Sequence, residues 1–429
     1  MESILDTKEN YSEDDSIKSY ETYAYHPITG TKLDNPGQIV IRIENQDAFF
    51  LPKRSWLQIE GQLVKANGTA DETKNLLALT NNGLMFLFDN IKYELSGQEI
   101  ESIYHPGHAT TMLGMAKYPN DNLNQCWMLD TSTACLDTNL GFKSRREFLI
   151  EDADPKGSFR FAIPLDHIFG FCDDYNKIMY GFVHSLTLVR SANSNNAIFR
   201  NDTAAAPGKA VEGKITISKI AWMMPKIEPN IEQKNTLYKS ILNKDTLSVG
   251  FRMRQCASVN IPTGVKAFTW RLGVRSVPEK PRFMMIAFQT GKAGDQKQNA
   301  ALFDHCSLTN MYILLNNVRY PAIDFHANFE KNHYDNLYKN LEDFRSTYYG
   351  IDSLVSNINV DSTAYKSLFP IFVFDVSKQS ERLNQGVVDI IVEMNFGKDI
   401  PANTFAYAVL ISDRKLKFQS DGTKMNVVY

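Results

Sequence analysis

Residues 88–93 read FDNIKY, and about half a chain length later residues 315–320 read LNNVRY. Both stretches present an asparagine, an aliphatic residue, a basic residue and a tyrosine in the same order, and each precedes a helical pattern. These patterns are residues 108–118 and residues 334–348, and Gly350 is placed to end the second helix. A unit that returns halfway along a chain of 429 residues predicts two similar halves in tandem.

Alternation of apolar and polar residues dominates both halves. In residues 57–63 the apolar Leu57, Ile59 and Leu63 alternate with polar neighbours, which is typical of a half-buried strand. Residues 84–88 form a continuous apolar run, which we interpret as a strand buried on both faces. Many short strands between turn-rich segments predict an all-β fold of two antiparallel sandwiches, with short helices in the loops. The predicted strands are 39–43, 57–63, 84–88, 158–163, 178–189, 214–222, 248–259, 265–274, 282–288, 311–320, 368–375, 388–396, 404–412 and 415–419.

The composition shifts along the chain suggest three parts. Residues 1–35 hold eight acidic residues, three lysines and few aliphatic residues, so we expect a flexible or partner-ordered arm. The two sandwiches are placed at 36–228 and 229–429. The joint lies at Pro225 and Pro229, which we expect to interrupt strand pairing.

Charge and composition exclude several classes of protein. Apolar residues make up 43% and charged residues 22%, which is ordinary globular usage. The 46 basic and 49 acidic side chains leave a net charge of −3, too balanced for a protein that binds nucleic acid through bulk charge. No apolar stretch approaches the ~20 residues that span a bilayer. The polar, acidic start of the chain does not resemble a secretory signal.

The cysteines indicate a reducing compartment. They are odd in number, widely scattered and form no CxxC pair, so neither a disulfide framework nor a zinc site is expected. We therefore expect reduced thiols in a protein made in the cytoplasm or nucleus and not secreted. The five positions are Cys126, Cys135, Cys172, Cys256 and Cys306.

Two clusters invite a metal or nucleophile interpretation. His105 and His108 are close in sequence, but no cysteine or carboxylate stands at ligand spacing, which favours structural histidines. Asp304, His305 and Cys306 place a base beside a thiol, yet neighbours in sequence seldom point at each other in a catalytic geometry. We expect a buried cysteine on a loop.

The best carboxylate pairs are Asp173 with Asp174 and Glu99 with Glu101. Glycoside hydrolysis needs two acids about 5 to 10 Å apart on opposite sides of a bond, which neither pair favours. Residues 143–146, KSRR, form the densest basic patch, expected to be a solvated loop or a subunit contact. Nucleotide-binding and hydrolase motifs are also missing, so the sequence predicts no catalytic site, cofactor site or metal site.

Several stretches resemble a known family. Residues 163–175, IPLDHIFGFCDDY, and residues 184–190, HSLTLVR, are similar to the first half of Polinton- and adintovirus-type major capsid proteins. Residues 219–225, KIAWMMP, resemble the end of their first jelly roll. Stretches similar to their second half are 369–375 (FPIFVFD), 412–414 (SDR) and 419–422 (QSDG). The resemblance spans residues 35–429.

The resemblance implies a hexon-like double jelly roll, with eight antiparallel strands in each half. It implies a homotrimer whose six jelly rolls approximate a hexagon and which contacts neighbouring capsomers, penton proteins and minor capsid proteins. The expected location is the virion, in an icosahedral shell that encloses double-stranded DNA without sequence-specific binding. The resemblance assigns no interface residue and leaves a membrane layer open. The resemblance has no counterpart for the acidic arm. From its composition alone, the arm is expected to lie at the inner rim of the shell and to bridge capsomers, so that deleting residues 1–33 impairs shells and leaves trimers intact.

Two other classes remain open at this point. A carbohydrate-binding or carbohydrate-hydrolysing tandem β-sandwich would use exposed aromatic side chains, for which Trp127 and Trp222 are the candidates. A host scaffold protein built of β-domains would differ mainly in lacking high-order assembly.

Overall fold

A computed structural model describes residues 16–28, 33–69, 77–118, 121–122, 126–151, 153–201, 212–272, 279–351, 360–380, 388–421 and 425–428. The strands are β1 (Ile17–Tyr25), β2 (Gly37–Ile43), β3 (Phe49–Phe50), β4 (Trp56–Lys65), β5 (Leu77–Leu79), β6 (Phe88–Leu95), β7 (Gln98–Tyr104), β8 (Asp121–Asn122), β9 (Trp127–Met128), β10 (Ser158–Pro164), β11 (His184–Arg190), β12 (Ile198–Arg200), β13 (Gly213–Pro229), β14 (Thr246–Ile261), β15 (Ala267–Arg271), β16 (Lys280–Thr290), β17 (Leu308–Leu315), β18 (Val318–Tyr320), β19 (Phe372–Asp375), β20 (Ile390–Phe396), β21 (Thr404–Ser420) and β22 (Met425–Val428). The helices are α1 (Pro106–Lys117), α2 (Leu140–Arg146), α3 (Leu165–Ile168), α4 (Gly170–Asp174), α5 (Ile231–Leu242), α6 (Asp335–Tyr349) and α7 (Ser362–Ser367).

The first half folds into two facing antiparallel sheets. One has the order β1-β13-β4-β10, with β3 also paired to β13, and the other has the order β2-β11-β6-β7. The eight main strands of this half can be renumbered 1 to 8 in chain order: β1, β2, β4, β6, β7, β10, β11 and β13. In this numbering the two sheets have the orders 1-8-3-6 and 2-7-4-5. This arrangement is a jelly roll.

The second half repeats the same strand order. Its sheets run β14-β21-β16-β19, with β22 also paired to β21, and β15-β20-β17-β18. Counted from β14, the orders are again 1-8-3-6 and 2-7-4-5. The predicted all-β fold of two tandem eight-stranded jelly rolls is therefore confirmed. The two sets of strands divide between Pro229 and Thr246, where α5 lies.

Alternating burial explains why most predicted strands form. Along β20 the side chains of Ile390, Val392, Met394 and Phe396 point into the core, while the residues between them are half exposed. The buried residues of both jelly rolls form one large apolar cluster. No helix among the described residues is long and apolar enough to cross a membrane.

The similar hexapeptides do not occupy equivalent positions. FDNIKY lies within β6, whereas LNNVRY crosses the turn between β17 and β18, where Asn316 and Asn317 have φ of 48° and 68°. The equivalent turn of the first half is formed by Ser96 and Gly97, with φ of 48° and 83°. The halves are equivalent in topology, and both predicted helices do follow these hairpins as α1 and α6. Gly350, in the left-handed conformation, ends α6 as expected.

One predicted strand differs in kind, and three others differ in their bounds. The continuous apolar run at residues 84–88 is mostly a buried 3-10 helix, Gly83–Leu87, because an apolar run without alternation fits a buried helix as well as a buried strand. The predicted strand at residues 311–320 is the β17–β18 hairpin. At the C-terminal end, the two predicted strands at 404–412 and 415–419 form the single long strand β21.

The predicted arm contains a strand of the first jelly roll. Strand β1 pairs with β13 from Ile17 opposite Pro229 to Tyr25 opposite Trp222. Its side chains are exposed on both faces except for partial burial at two positions, so no alternation marks it in the sequence. Residues 1–15 and 29–32 of the arm lie outside the described residues.

The prolines at the joint do not interrupt pairing. Strand β13 continues through Pro225, which lies opposite Thr22 of β1. Proline has no N–H to donate, but the Pro225 carbonyl accepts the N–H of Leu51 at 3.1 Å. The strand therefore runs to Pro229, and the connection between the two jelly rolls is made by α5.

Candidate functional site: the seam between the two jelly rolls

Most of the polar residues that stand out in the sequence meet where the two jelly rolls touch. We call this surface the seam. It is formed by β7, α1 and α4 of the first jelly roll and by β14, β21 and α6 of the second. Its polar centre is built around two arginines of β14, Arg252 and Arg254, which point to the same side because they are two residues apart in a strand.

Arg254 is a buried cation at the centre of the seam. Its side chain is 1% exposed, and its Nη2 donates to Asp173 Oδ2 at 2.5 Å. Its Nη1 donates to the backbone carbonyls of Asp166 and His167 at 2.9 and 3.2 Å. Burial alone would raise the pKa of Asp173, but the neighbouring charges, first that of Arg254, hold this pKa below its ordinary value. The planar guanidinium of Arg254 on β14 of the second jelly roll is thus hydrogen-bonded to both α3 and α4 of the first.

Glu101 of β7 receives three backbone N–H groups in the interior of the seam. Gly170 and Arg254 donate to its Oε1 at 3.0 and 2.7 Å, and Phe171 donates to its Oε2 at 2.9 Å. The side chain is fully buried. Burial raises the pKa of Glu101 to about 7, although the backbone donors and the charge of Arg254 act in the opposite direction. This carboxyl caps the start of α4 and holds β14 against it, so its role is structural.

Arg252 forms the second charged pair. Its Nε and Nη2 donate to the two carboxylate oxygens of Asp174 at 2.9 and 2.5 Å, and its backbone N–H donates to the same carboxylate at 2.7 Å. Its guanidinium also lies 4.0 Å from the ring centroid of Tyr348 on α6. The predicted carboxylate pair Asp173–Asp174 is therefore divided between two arginines and is not arranged for acid–base catalysis on a substrate.

The predicted histidine pair lies on the apolar part of the seam. His108 of α1 is stacked on Tyr407 of β21 at 3.8 Å between ring centroids, and its Nε2 lies 3.0 Å from Gln289 Oε1 on β16. The amide nitrogen of Gln289 donates to two backbone carbonyls, so its oxygen must accept from His108. Burial lowers the pKa of His108 to about 3, which keeps the ring neutral. His105 Nε2 meets Ser258 Oγ of β14 at 3.0 Å.

The basic patch KSRR is not a solvated loop. It lies on α2, where Arg145 is buried and donates to Asp130 Oδ1 at 2.7 Å. Asn299 of the second jelly roll donates to the other oxygen of Asp130 at 2.8 Å, so this buried pair also joins the two halves. Arg146 is likewise buried and pairs with Asp137. The expectation of a solvated loop was wrong because a buried arginine and a solvated one look alike in sequence, and the alternative of a subunit contact stays a prediction.

The remaining candidates make contacts within the second jelly roll. Asp304 pairs with Lys292 at 2.7 Å, and the ring of His305 stacks on Phe329. Burial raises the pKa of Cys306 to about 12, which opposes thiolate formation. All five cysteines are free, and the described parts of the chain hold no cluster of three potential metal ligands.

The tryptophans expected to be exposed are buried. Trp127 is 1% and Trp222 is 0% exposed, so neither ring is available to stack on a sugar. Trp127 packs directly over Gly114 of α1, where a Cβ would come within 2.4 Å of the ring. The expectation failed because large aromatic side chains also serve as core residues, which the sequence does not distinguish from binding platforms.

The sequence singled out Glu101, Asp173 and His108 but missed their partners on the second jelly roll. Arg252 and Arg254 stand in the run FRMRQ, in which two arginines share one face of a strand. That spacing is the sequence signal for the second jelly roll's side of the seam, and it does not say which carboxylates lie opposite. What the arrangement does physically is to fix the two jelly rolls to each other through buried, hydrogen-bonded charges.

The neutral histidines of the core predict a pH dependence. The unfolded chain protonates His108 near its ordinary pKa of 6.5, whereas the folded chain resists protonation down to about 3. The stability contributed by His108 is therefore present above pH 6.5 and is lost as the pH falls toward 3. Relative to His108→Gln, which cannot titrate, we expect the wild type to lose roughly 2 kcal/mol of unfolding free energy between pH 7 and pH 5.

Urea unfolding of both proteins at pH 7 and pH 5 measures this difference. The raised pKa of Glu101 acts in the opposite direction, and comparison with the variant isolates the histidine. If the difference in unfolding free energy between wild type and variant is the same at both pH values, the lowered pKa of His108 is contradicted.

Comparisons with known proteins bear on the fold that carries this seam. The sequence model of a family described as a double jelly roll-like domain matches residues 77–416. The chain belongs to this family. No curated protein matches the chain.

Solved structures share the double jelly roll along nearly the whole chain. The cryo-EM structure of the Sputnik virophage matches with a TM-score of 0.57 and 10% identity, over 99% of this chain and 91% of that chain. The mavirus major capsid protein matches with a TM-score of 0.56 and 12% identity, over 98% of this chain and 94% of that chain. A PBCV-1 virus capsid model matches with a TM-score of 0.56 and 11% identity, over 99% of both chains. At these identities the likeness establishes a shared double jelly-roll fold.

Proposed function

We propose that this double jelly-roll protein is a major capsid protein, a structural subunit without enzymatic activity. Three copies form a homotrimer, and the trimers tile an icosahedral shell around double-stranded DNA. The proposal is supported by the double jelly-roll family and by the likeness to proteins whose descriptions name viral capsids.

The observation that carries the proposal is the repetition of one topology in one rigid unit. Both halves have the strand orders 1-8-3-6 and 2-7-4-5, so three chains around a threefold axis offer six similar bodies. Such a ring contacts six neighbours only if the two jelly rolls of each chain keep a fixed position and orientation relative to each other. Two buried ion pairs supply that rigidity. Arg254 pairs with Asp173 across the seam. Arg145 pairs with Asp130, whose other carboxylate oxygen accepts a hydrogen bond from Asn299 of the second jelly roll.

The partners follow from this role. We propose contacts with a second and third copy in the trimer, with neighbouring capsomers, and with penton and minor capsid proteins. The DNA is enclosed without sequence-specific binding, in keeping with the net charge of −3. The location proposed is the virion, after synthesis in the cytoplasm or nucleus of a host.

The mass of the purified protein in solution tests the proposal. Light scattering coupled to size exclusion is expected to give three times the 48.7 kDa of the chain, or a larger assembly built from that unit. Permanent interfaces of this kind bury thousands of Å², so the trimer should persist on dilution. A single-chain mass that persists at every concentration tested would contradict it.

A further inference from the structure

The seam joins two unlike sides of the jelly roll. Strand 5 of the first jelly roll, β7, lies against strand 1 of the second, β14. Helix α4, which comes after strand 6 of the first jelly roll, also packs on β14. The side at strands 5 and 6 of one jelly roll therefore contacts the side at strand 1 of the other. A contact between unlike surfaces of similar bodies is heterologous, and it can be repeated from one body to the next.

Each chain has one more copy of both sides, away from the seam. On the first jelly roll it is the side of strand 1, β1, which is the outermost strand of its sheet in the described part of the chain. On the second jelly roll it is the side of strands 5 and 6, β18 and β19, which are outermost in their sheets by the same measure. We call these surfaces the β1 side and the β18–β19 side.

Strand β1 lacks the cover that its counterpart β14 has. On β14 the successive residues Met253 and Arg254 are both buried, so this strand is covered on both of its faces. No side chain of β1 is fully buried, and Ile17, Tyr20 and Tyr23 are exposed large side chains. An outermost strand that exposes aromatic and aliphatic side chains is a surface on which another chain can pack.

The β18–β19 side carries an apolar opening. A cavity of about 290 Å³ lies between α6 and these two strands, and its lining includes Phe283, Tyr320, Ile323, Phe325, Phe344 and Phe374. On the first jelly roll the corresponding side, formed by β7, α1 and α4, is covered by β14. The side that is closed at the seam is therefore open on the second jelly roll.

We propose that the β1 side of one chain docks on the β18–β19 side of a second copy of the chain. The contact repeats between chains the arrangement that the seam makes within a chain, and Tyr20 and Ile323 lie in the two surfaces that meet. Three chains joined in this way close a ring in which each jelly roll contacts the next through the same two sides. The assignment rests on the proposed trimer and adds the surfaces that hold it together.

The contact between chains differs from the seam in its chemistry. Strand β14 supplies Arg252 and Arg254 to the seam, whereas β1, with the sequence IKSYETYAY, holds no arginine. The exposed side chains of β1 and the lining of the cavity are instead rich in aromatic rings. Aromatic residues are enriched in protein interfaces and supply much of their binding energy. We therefore assign the trimer contact mainly to aromatic and aliphatic packing.

Two single variants test the surfaces. Tyr20→Glu and Ile323→Glu each place a charge in one of them, at side chains that are 50% and 64% exposed, so the fold of the chain should not depend on either. Light scattering coupled to size exclusion should give a trimer for the wild type and a single chain for each variant. The matched control is Leu140→Glu on α2, which makes the same kind of change at a side chain 60% exposed and away from both sides; it should remain a trimer.

A second variant on each surface repeats the test. Thr22→Glu lies on β1 and Val318→Glu on β18, and both side chains are exposed. Circular dichroism and thermal unfolding of each variant identify the folded ones, and the masses of folded variants decide. Loss of the trimer in folded variants of both surfaces supports the assignment.

Mixing the two defective chains tests which side meets which. The β1 side is intact in Ile323→Glu, and the β18–β19 side is intact in Tyr20→Glu. We expect an equimolar mixture to form a complex of two chains, with twice the 48.7 kDa of one chain, because no third intact pair of surfaces is left to close the ring. A mixture that gives trimers, or no complex at all, would overturn the proposal.

The wild-type mass separates this proposal from the proposed function. Folded variants of both surfaces that remain trimers, beside a trimeric wild type, would overturn the assignment of the surfaces and leave the capsomer standing. A wild type that stays a single chain at every concentration would overturn both.

Discussion

Arg254→Met is expected to destabilise the protein by about 3–5 kcal/mol, the range seen when one partner of a buried ion pair is removed. Methionine fills much of the same volume, so the main effect is electrostatic. Asp173 would keep its charge at a partly buried position without its closest cation. The carbonyls of Asp166 and His167 would lose their donors as well. Urea unfolding followed by tryptophan fluorescence measures the loss.

Arg271→Met is the matched control for this prediction. Arg271 also pairs with a carboxylate, Asp389, at 2.8 Å, but its side chain is 73% exposed. Exposed pairs contribute less than about 1 kcal/mol, so the control should remain close to the wild type. Adding Asp173→Asn to Arg254→Met should recover part of the loss, because the unpaired charge is then removed. Equal stability of the two methionine variants would contradict the description of the seam.

Gly170→Ala is the second large effect that we expect. A Cβ at Gly170, the first residue of α4, would lie 1.7 Å from the backbone oxygen of Arg252 on the other jelly roll. Because the clashing atom belongs to the backbone, β14 and α4 must move apart to admit the methyl group. Overpacking of this kind lowers the unfolding free energy by about 3 kcal/mol. Separation would also stretch the bonds from Gly170 and Phe171 to Glu101.

Gly250→Ala provides the control on the same strand. A Cβ at Gly250 meets its nearest atom only at 4.0 Å, so we expect a change within about 0.5 kcal/mol. Thermal unfolding of both variants measures the difference. A Gly170→Ala protein as stable as the wild type would mean that the two jelly rolls do not approach as closely as described.

Strand content was predictable where one face of a strand is buried. The alternation in residues 57–63 and 388–396 follows directly from burial, and both became strands, β4 and β20. Strand β1 gave no such pattern because both of its faces are largely exposed. Its place in the sheet is set by backbone pairing with β13, which leaves no periodicity in the side chains.

The polar contacts of the seam could be foreseen only in part. Asp173, Asp174 and Glu101 were identifiable as unusual carboxylates, but their partners Arg252 and Arg254 lie far along the chain. Sequence spacing does not report contacts between separate domains. The order of the strands, which defines the jelly roll, came from family resemblance and not from periodicity, since alternation is the same in every antiparallel topology.

We propose that the two jelly rolls act as one unit and that three such units form a capsomer. Negative-stain electron microscopy of the purified protein tests this most directly. We expect threefold-symmetric particles with six lobes and a hexagonal outline, or closed shells built from them. Particles with only two lobes and no threefold symmetry, at concentrations where the protein is fully folded, would contradict it.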